Sequence, residues 1–180
     1  KMNAQFIKVA SMDLNNYQFL DYIARKQKPI ILSTGLSTLS EIDLAIQTIE
    51  NSGNHQIIIL HCVAIYPTKD SDVNLKNIGT LSKLYPYPVG FSDHTLGSCI
   101  PLAAIAKGAC LIEKHFTLDK DMEGWDHRVS ATPDEMKVIV DGTRRIHEAL
   151  GSERINRVES GPEEKPDKKI ATTNKERREN

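Results

Sequence analysis

Cysteine is scarce in this chain, and neither sign of charge is in excess. Cys62, Cys99 and Cys110 are the only thiols in 180 residues. They form an odd set without a CxxC pair, which argues against a disulfide framework or a zinc knuckle and predicts a reducing, cytoplasmic setting. The 23 Lys and Arg residues nearly balance 24 Asp and Glu, for a formal net charge of -1. No bulk field therefore exists to steer nucleic acid or an anionic membrane. No apolar run approaches the roughly 18 residues of a membrane span, and Lys1-Met2-Asn3 leads into no signal-peptide apolar region. Internal repeats and low-complexity tracts are missing as well. What is present, 39% hydrophobic and 26% charged, is the composition of an ordinary folded, soluble domain.

Short β-branched runs alternate with stretches of helical spacing, the βαβα pattern. Strands are predicted at Phe6–Ser11, Pro29–Thr34, Gln56–Cys62, Pro88–Asp93 and Cys110–Phe116. Between them, Leu39, Ile42, Ile46 and Ile49 share a helical face, with Thr38 and Glu41 spaced as a capping box and Gly53 as the stop. Leu75, Ile78, Leu81 and Leu84 mark a second helix, and Cys99 is expected at a helix packing position. The best-marked helix opens at Thr132-Pro133-Asp134-Glu135, turns Met136, Ile139, Val140, Ile146 and Leu150 inward, and stops at Gly151.

Runs such as Ile57-Ile58-Ile59-Leu60 are apolar without alternation, as in strands of a parallel sheet buried on both faces. Five βα units suit either a doubly wound sheet or part of a (β/α)8 TIM barrel, and periodicity does not separate them. Polar residues favour the barrel. They gather at the strand ends as Lys8 and Ser11, Ser33-Thr34-Gly35, His61-Cys62, Ser92-Asp93-His94 and Glu113-Lys114-His115. A barrel brings such ends to one rim, whereas an open sheet spreads them along a line. Residues 1–150 are expected to form this domain, and the charged, proline-containing stretch 151–180 to be a linker or tail.

His94 and His115 are the best metal-ligand candidates, since strand-end imidazoles suit Mn²⁺, Zn²⁺ or Fe²⁺; the plain alternative is a pair of satisfied rim histidines. Lys8, Ser11, Ser33 and Ser92 offer an ammonium and three hydroxyls to a phosphate, although each serine alone reads as a turn or cap residue. Asp13, Glu113 and Asp126 are the candidate acids. Lys114 is either a further positive charge for substrate or half of a rim ion pair with Glu113 or Asp93. Tyr66 is a candidate sugar contact, with rim packing as its alternative.

The strings Ile31-Leu32-Ser33-Thr34-Gly35, Leu60-His61-Cys62 with Ile65-Tyr66-Pro67, Gly90-Phe91-Ser92-Asp93-His94-Thr95-Leu96-Gly97 and Ile112-Glu113-Lys114-His115-Phe116-Thr117 resemble the N-acetylneuraminate (sialic acid) synthase family in order and spacing. The resemblance covers about residues 4 to 151. It implies the last five βα units of the family's TIM barrel, with three earlier strands and an antifreeze-like C-terminal domain outside the chain. It also implies a transferase that condenses phosphoenolpyruvate with N-acetylmannosamine or a related N-acylated hexosamine and water, giving a nonulosonic acid and phosphate. By the same resemblance, His94 and His115 bind a divalent metal, Mn²⁺ first and Mg²⁺ or Co²⁺ next, while Lys8, Ser11, Ser33 and Ser92 hold phosphoenolpyruvate. Asp126 matches an aspartate near the sugar, Glu113 is the candidate proton shuttle for the implied reaction, and the full-length protein is expected to be a homodimer.

Three positions depart from the family's pattern. Asp13 stands where glutamate is usual, Trp125 where proline is common, and Ala64 where neuraminate-specific members often carry asparagine. The last departure opens legionaminate, pseudaminate or spore-coat sugar synthesis as alternatives. Two rival classes remain at this stage: another metal-dependent barrel, such as a class II aldolase or a hydrolase, and an inactive fragment with open sheet edges.

Overall fold

The computed structural model describes residues 4–152 and residue 154. Strands β1 (Ile7–Val9), β2 (Ile30–Ser33), β3 (Ile57–Cys62), β4 (Val89–Asp93) and β5 (Ile112–Lys114) form one parallel sheet in chain order, β1-β2-β3-β4-β5. They alternate with helices α1 (Tyr17–Ala24), α2 (Leu39–Asn51), α3 (Lys76–Leu84), α4 (Cys99–Ala106) and α5 (Pro133–Leu150). The architecture is α/β, with the five parallel strands curled into a half-barrel. The tail expected at 151–180 falls, beyond its first few residues, outside the described residues.

Local chemistry accounts for the helix boundaries. In both α2 and α5 a threonine, Thr38 or Thr132, accepts from the backbone N–H of a glutamate three residues on, while that glutamate, Glu41 or Glu135, accepts from the threonine's own N–H. Gly53 and Gly151 follow these helices with φ of 77° and 52°, a region that favours glycine. In contrast, α4 reads CIPLAAIA and is apolar all round, so it carries no amphipathic stripe. It begins at Cys99, which is exposed rather than packed as the sequence suggested.

Registry assigns the two faces of the sheet. Val9, Ile30, Leu32, Ile57, Ile59, Val89 and Phe91 pack beneath the helices with Ile42, Ile46, Ile49, Ile78 and Leu81, and form the core. Partner residues Lys8↔Ile31, Ile31↔Ile58, Ser33↔Leu60, Cys62↔Ser92 and Ser92↔Glu113 place Lys8, Ser33, Cys62, Ser92 and Glu113 on the opposite, concave face. Curvature is plain from one contact: Lys8 on β1 and Glu113 on β5 belong to opposite ends of the strand order, yet Lys8 Nζ lies 3.5 Å from Glu113 Oε2. A flat five-stranded sheet separates such residues by about four strand spacings of 4.8 Å. The strand ends therefore converge on a rim.

Candidate active site

The centre of the concave face is held by short polar contacts. Ser92 Oγ donates to Glu113 Oε1 at 2.7 Å, and Lys8 Nζ faces the other carboxylate oxygen of Glu113 while donating to Val9 O at 2.8 Å. Ser11, in the helical turn after β1, accepts from Gly35 N–H at 3.0 Å and donates to Cys62 Sγ at 3.7 Å. Gly35 is required there by closeness: a Cβ would lie 2.7 Å from Cys62 Sγ and 2.9 Å from Ser11 Oγ. Burial pushes the Cys62 thiol pKa up, against the opposing pull of the Ser11 and Ser92 hydroxyls and of Lys8.

Ser33 stands apart. It is 2% exposed, and its hydroxyl is buried with no hydrogen-bond partner among the described residues. An unpaired buried hydroxyl costs about 1–3 kcal/mol. A ligand acceptor on the concave face would remove that cost.

Along the rim, the rings of His94 and His115 have centroids 5.5 Å apart, and Tyr66 packs against both, tilted at 4.2 Å from His94 and edge-on at 5.6 Å from His115. His94 Nδ1 lies 2.9 Å from Val63 O, an atom that only accepts, so Nδ1 carries the proton and Nε2 keeps its lone pair. Burial holds the His94 pKa below the usual histidine value, which favours the neutral ligand form. His115 Nδ1 is 3.8 Å from Asp126 Oδ2. Two rim imidazoles, one oriented by a carbonyl and the other standing beside a carboxylate, are a donor set that fits a divalent metal. Among the described residues no group of three or more His, Cys, Asp or Glu side chains is arranged to hold one. A cavity of about 210 Å³ opens here between Ser92, His94, Glu113, Lys114 and His115.

The structure thus brings Lys8, Ser11, Ser92, Glu113, His94, His115, Tyr66 and Asp126 into one connected neighbourhood, with Ser33 on the same face. Asp13 lies in the turn after β1 and makes no side-chain hydrogen bond among the described residues. Lys114 is placed differently. It borders the cavity, but its ammonium turns to the helix-covered face, 2.6 Å from Asp93 Oδ2 and 2.6 Å from Thr95 O, with its side chain 2% exposed. His61, also from a polar strand end, points to that face and donates through Nε2 to Val73 O at 2.6 Å. Cys62 and Gly35 stand in the strand-end clusters of the sequence, but nothing there, taken by itself, gives either a place in the site. The signal for Cys62 was the two-residue step that puts it on the face of Leu60; Gly35 carries no such signal, because its reason is a contact between separate strands.

The NeuB family profile matches residues 1–155. An uncharacterised protein of Methanocaldococcus jannaschii is 51% identical over 152 residues, 84% of this chain and 45% of its own length. The N,N'-diacetyllegionaminic acid synthase of Legionella pneumophila is 43% identical over 150 residues, 81% of this chain and 42% of its own. In structure, the N-acetylneuraminic acid (sialic acid) synthetase of Leptospira borgpetersenii superposes with a TM-score of 0.82 at 38% identity, covering 87% of this chain and 54% of that one. The chain spans about half the length of the relatives it matches.

Proposed function

The chain belongs to the NeuB family, and from that premise we propose that it supplies the phosphoenolpyruvate and metal side of a nonulosonic acid synthase. The acceptor is an N-acylated hexosamine and the products are a nine-carbon-type sugar acid and inorganic phosphate. The observation that carries this reading is the partnerless buried Ser33 hydroxyl on the face that also presents Lys8, Ser11 and Ser92. A trianionic phosphoester offers that donor an acceptor and matches the Lys8 ammonium on the same face.

In this reading Lys8 neutralises the phosphate and the serines fix its orientation, so that C3 of the enol is aimed at the aldehyde carbon of the open-chain sugar. The enol electron pair forms the new C–C bond as the aldehyde oxygen takes a proton from a carboxyl group of the site. Water then adds to C2 and returns one proton to that carboxylate; the C2 hydroxyl gives its remaining proton to the departing phosphate as the C2–O bond breaks, leaving C2 a ketone. Glu113 suits the proton-holding role, with Oε1 already accepting from Ser92. His94 and His115 would hold a divalent cation, which when bound supplies Lewis-acid polarisation of the carbonyl. Asp126 stands beside His115 at the rim, and Tyr66 gives the sugar an apolar wall beside the two rings.

A phosphate-release assay tests the proposal in the native protein, with whatever sequence flanks these residues. Release is expected only when phosphoenolpyruvate, an N-acyl hexosamine and Mn²⁺ are all present. His115→Ala should lower turnover at least about a hundredfold, as loss of several kcal/mol of charge stabilisation implies. Cys99→Ala, at an exposed site on α4, should leave it intact. Sugar-independent release would indicate a phosphatase, and no release with any acceptor would remove the reading.

A further inference from the structure

The buried ion pair next to the two imidazoles has no part in the chemistry above. Asp93 and Lys114 are paired neighbours at the ends of β4 and β5, and the residue after each is a histidine of the site. Their side chains are 0% and 2% exposed, and Nζ and Oδ2 are 2.6 Å apart. Asp93 Oδ1 accepts from both the N–H and the hydroxyl of Thr95 at 2.8 Å, and Lys114 also donates to Thr95 O. The network ties the first turn after β4 to the end of β5 and lies on the opposite side of the strands from Ser92 and Glu113. Its ammonium is therefore committed away from any ligand on the concave face.

A buried ion pair is a poor device for stability, because desolvation cancels much of its attraction and apolar replacements often fold as well. It is a good device for geometry. Two strand ends joined by a short bond between fully enclosed charges cannot slide or spread without exposing an unpaired charge. We infer that Asp93, Lys114 and Thr95 form a positioning clamp that sets the separation of His94 and His115, and with it the affinity of the site for a divalent cation. The inference rests on the metal reading proposed above.

Manganese binding, followed by the electron paramagnetic resonance of free Mn²⁺ in the native protein, separates the two ideas. A wild-type protein that binds no Mn²⁺ removes the metal reading itself. Given wild-type binding, the paired variant Asp93→Asn/Lys114→Met takes out both charges together and leaves no unpaired charge; it should fold, yet bind Mn²⁺ about 10–100-fold more weakly. At saturating metal, its KM for phosphoenolpyruvate should stay within about threefold of wild type, because no substrate contact is lost. A folded double variant with unchanged Mn²⁺ affinity overturns the clamp. So does a KM raised more than about tenfold with metal affinity intact, which would make Lys114 a substrate group. If the double variant does not fold, Thr95→Val decides, since it deletes one hydroxyl bond to Asp93 and keeps the shape: a several-fold loss of Mn²⁺ affinity supports the clamp, and unchanged affinity rejects it.

Discussion

At the scale of single residues, function and stability should separate most cleanly at Ser33. Its hydroxyl is desolvated and unpaired, so Ser33→Ala deletes a cost rather than a bond. Thermal stability without ligand is expected to be unchanged or higher by up to about 1 kcal/mol. KM for phosphoenolpyruvate is expected to rise about tenfold, the worth of one hydrogen bond to a charged group. A variant that loses stability and leaves KM alone would mean that the hydroxyl serves the fold. Gly35→Ala makes a contrasting case, because the new methyl would meet the Cys62 thiol, the Ser11 hydroxyl and, at 3.1 Å, the backbone nitrogen of Ala64. Ser11 or Cys62 must move, and weaker phosphoenolpyruvate binding should exceed any change in melting temperature. Neither property was legible in the sequence. Ser33 was recognisable as a donor, but its lack of a partner is a fact about its neighbours, and the crowding at Gly35 arises only when β2 and β3 lie side by side.

At the scale of elements, legibility followed the strength of local signals. The helices α2 and α5 could be bounded from the sequence because each begins with a reciprocal threonine and glutamate pair and ends before a glycine. Thr132→Ala should cost about 1 kcal/mol, measured as a lower urea midpoint, with little effect on substrate binding. No such signal marks α4, whose eight residues are apolar on every side, or α1, whose single cap is the Asn16 side chain accepting from Phe19 N–H. Strands were found to within a few residues but expected too long at the edges: Phe6–Ser11 shrinks to Ile7–Val9, and Cys110–Phe116 to Ile112–Lys114. Composition shows where a chain can be extended; ladder bonds decide where it is paired. Pleating also separates residues that are adjacent in the chain, so Glu113 faces the concave side while Lys114 faces the helices. Close packing of β4 adds a further test. A Cβ on Gly90 would lie 2.7 Å from Leu111 O, a backbone atom, so Gly90→Ala should destabilise by about 1–3 kcal/mol and disturb the spacing of β4 and β5.

At the scale of the whole molecule, the sheet's curl converts a row of strand ends into a site, and runs without alternation could not reveal that curl because the central strands carry buried residues on both faces. The same enclosure makes the fold sensitive to acid. His61 points into the helix-covered face, stacks on Phe91 with centroids 5.8 Å apart, and holds its Nε2 proton on Val73 O. Burial holds its pKa below the usual histidine value, a shift only partly offset by that hydrogen bond. The folded state therefore binds fewer protons than the unfolded chain as pH falls below about 6.5, and stability must drop with acidification, while above that range His61 contributes no slope. His61→Gln keeps an N–H near the Nε2 position and removes the titration. In urea unfolding of the metal-free protein, wild type should lose more stability between pH 7.5 and 5.5 than the variant does. His94, whose pKa burial also lowers, is present in both proteins, so the difference between the curves isolates His61. Parallel curves across that range would show that the His61 ring takes up its proton in the folded state as readily as in the unfolded one.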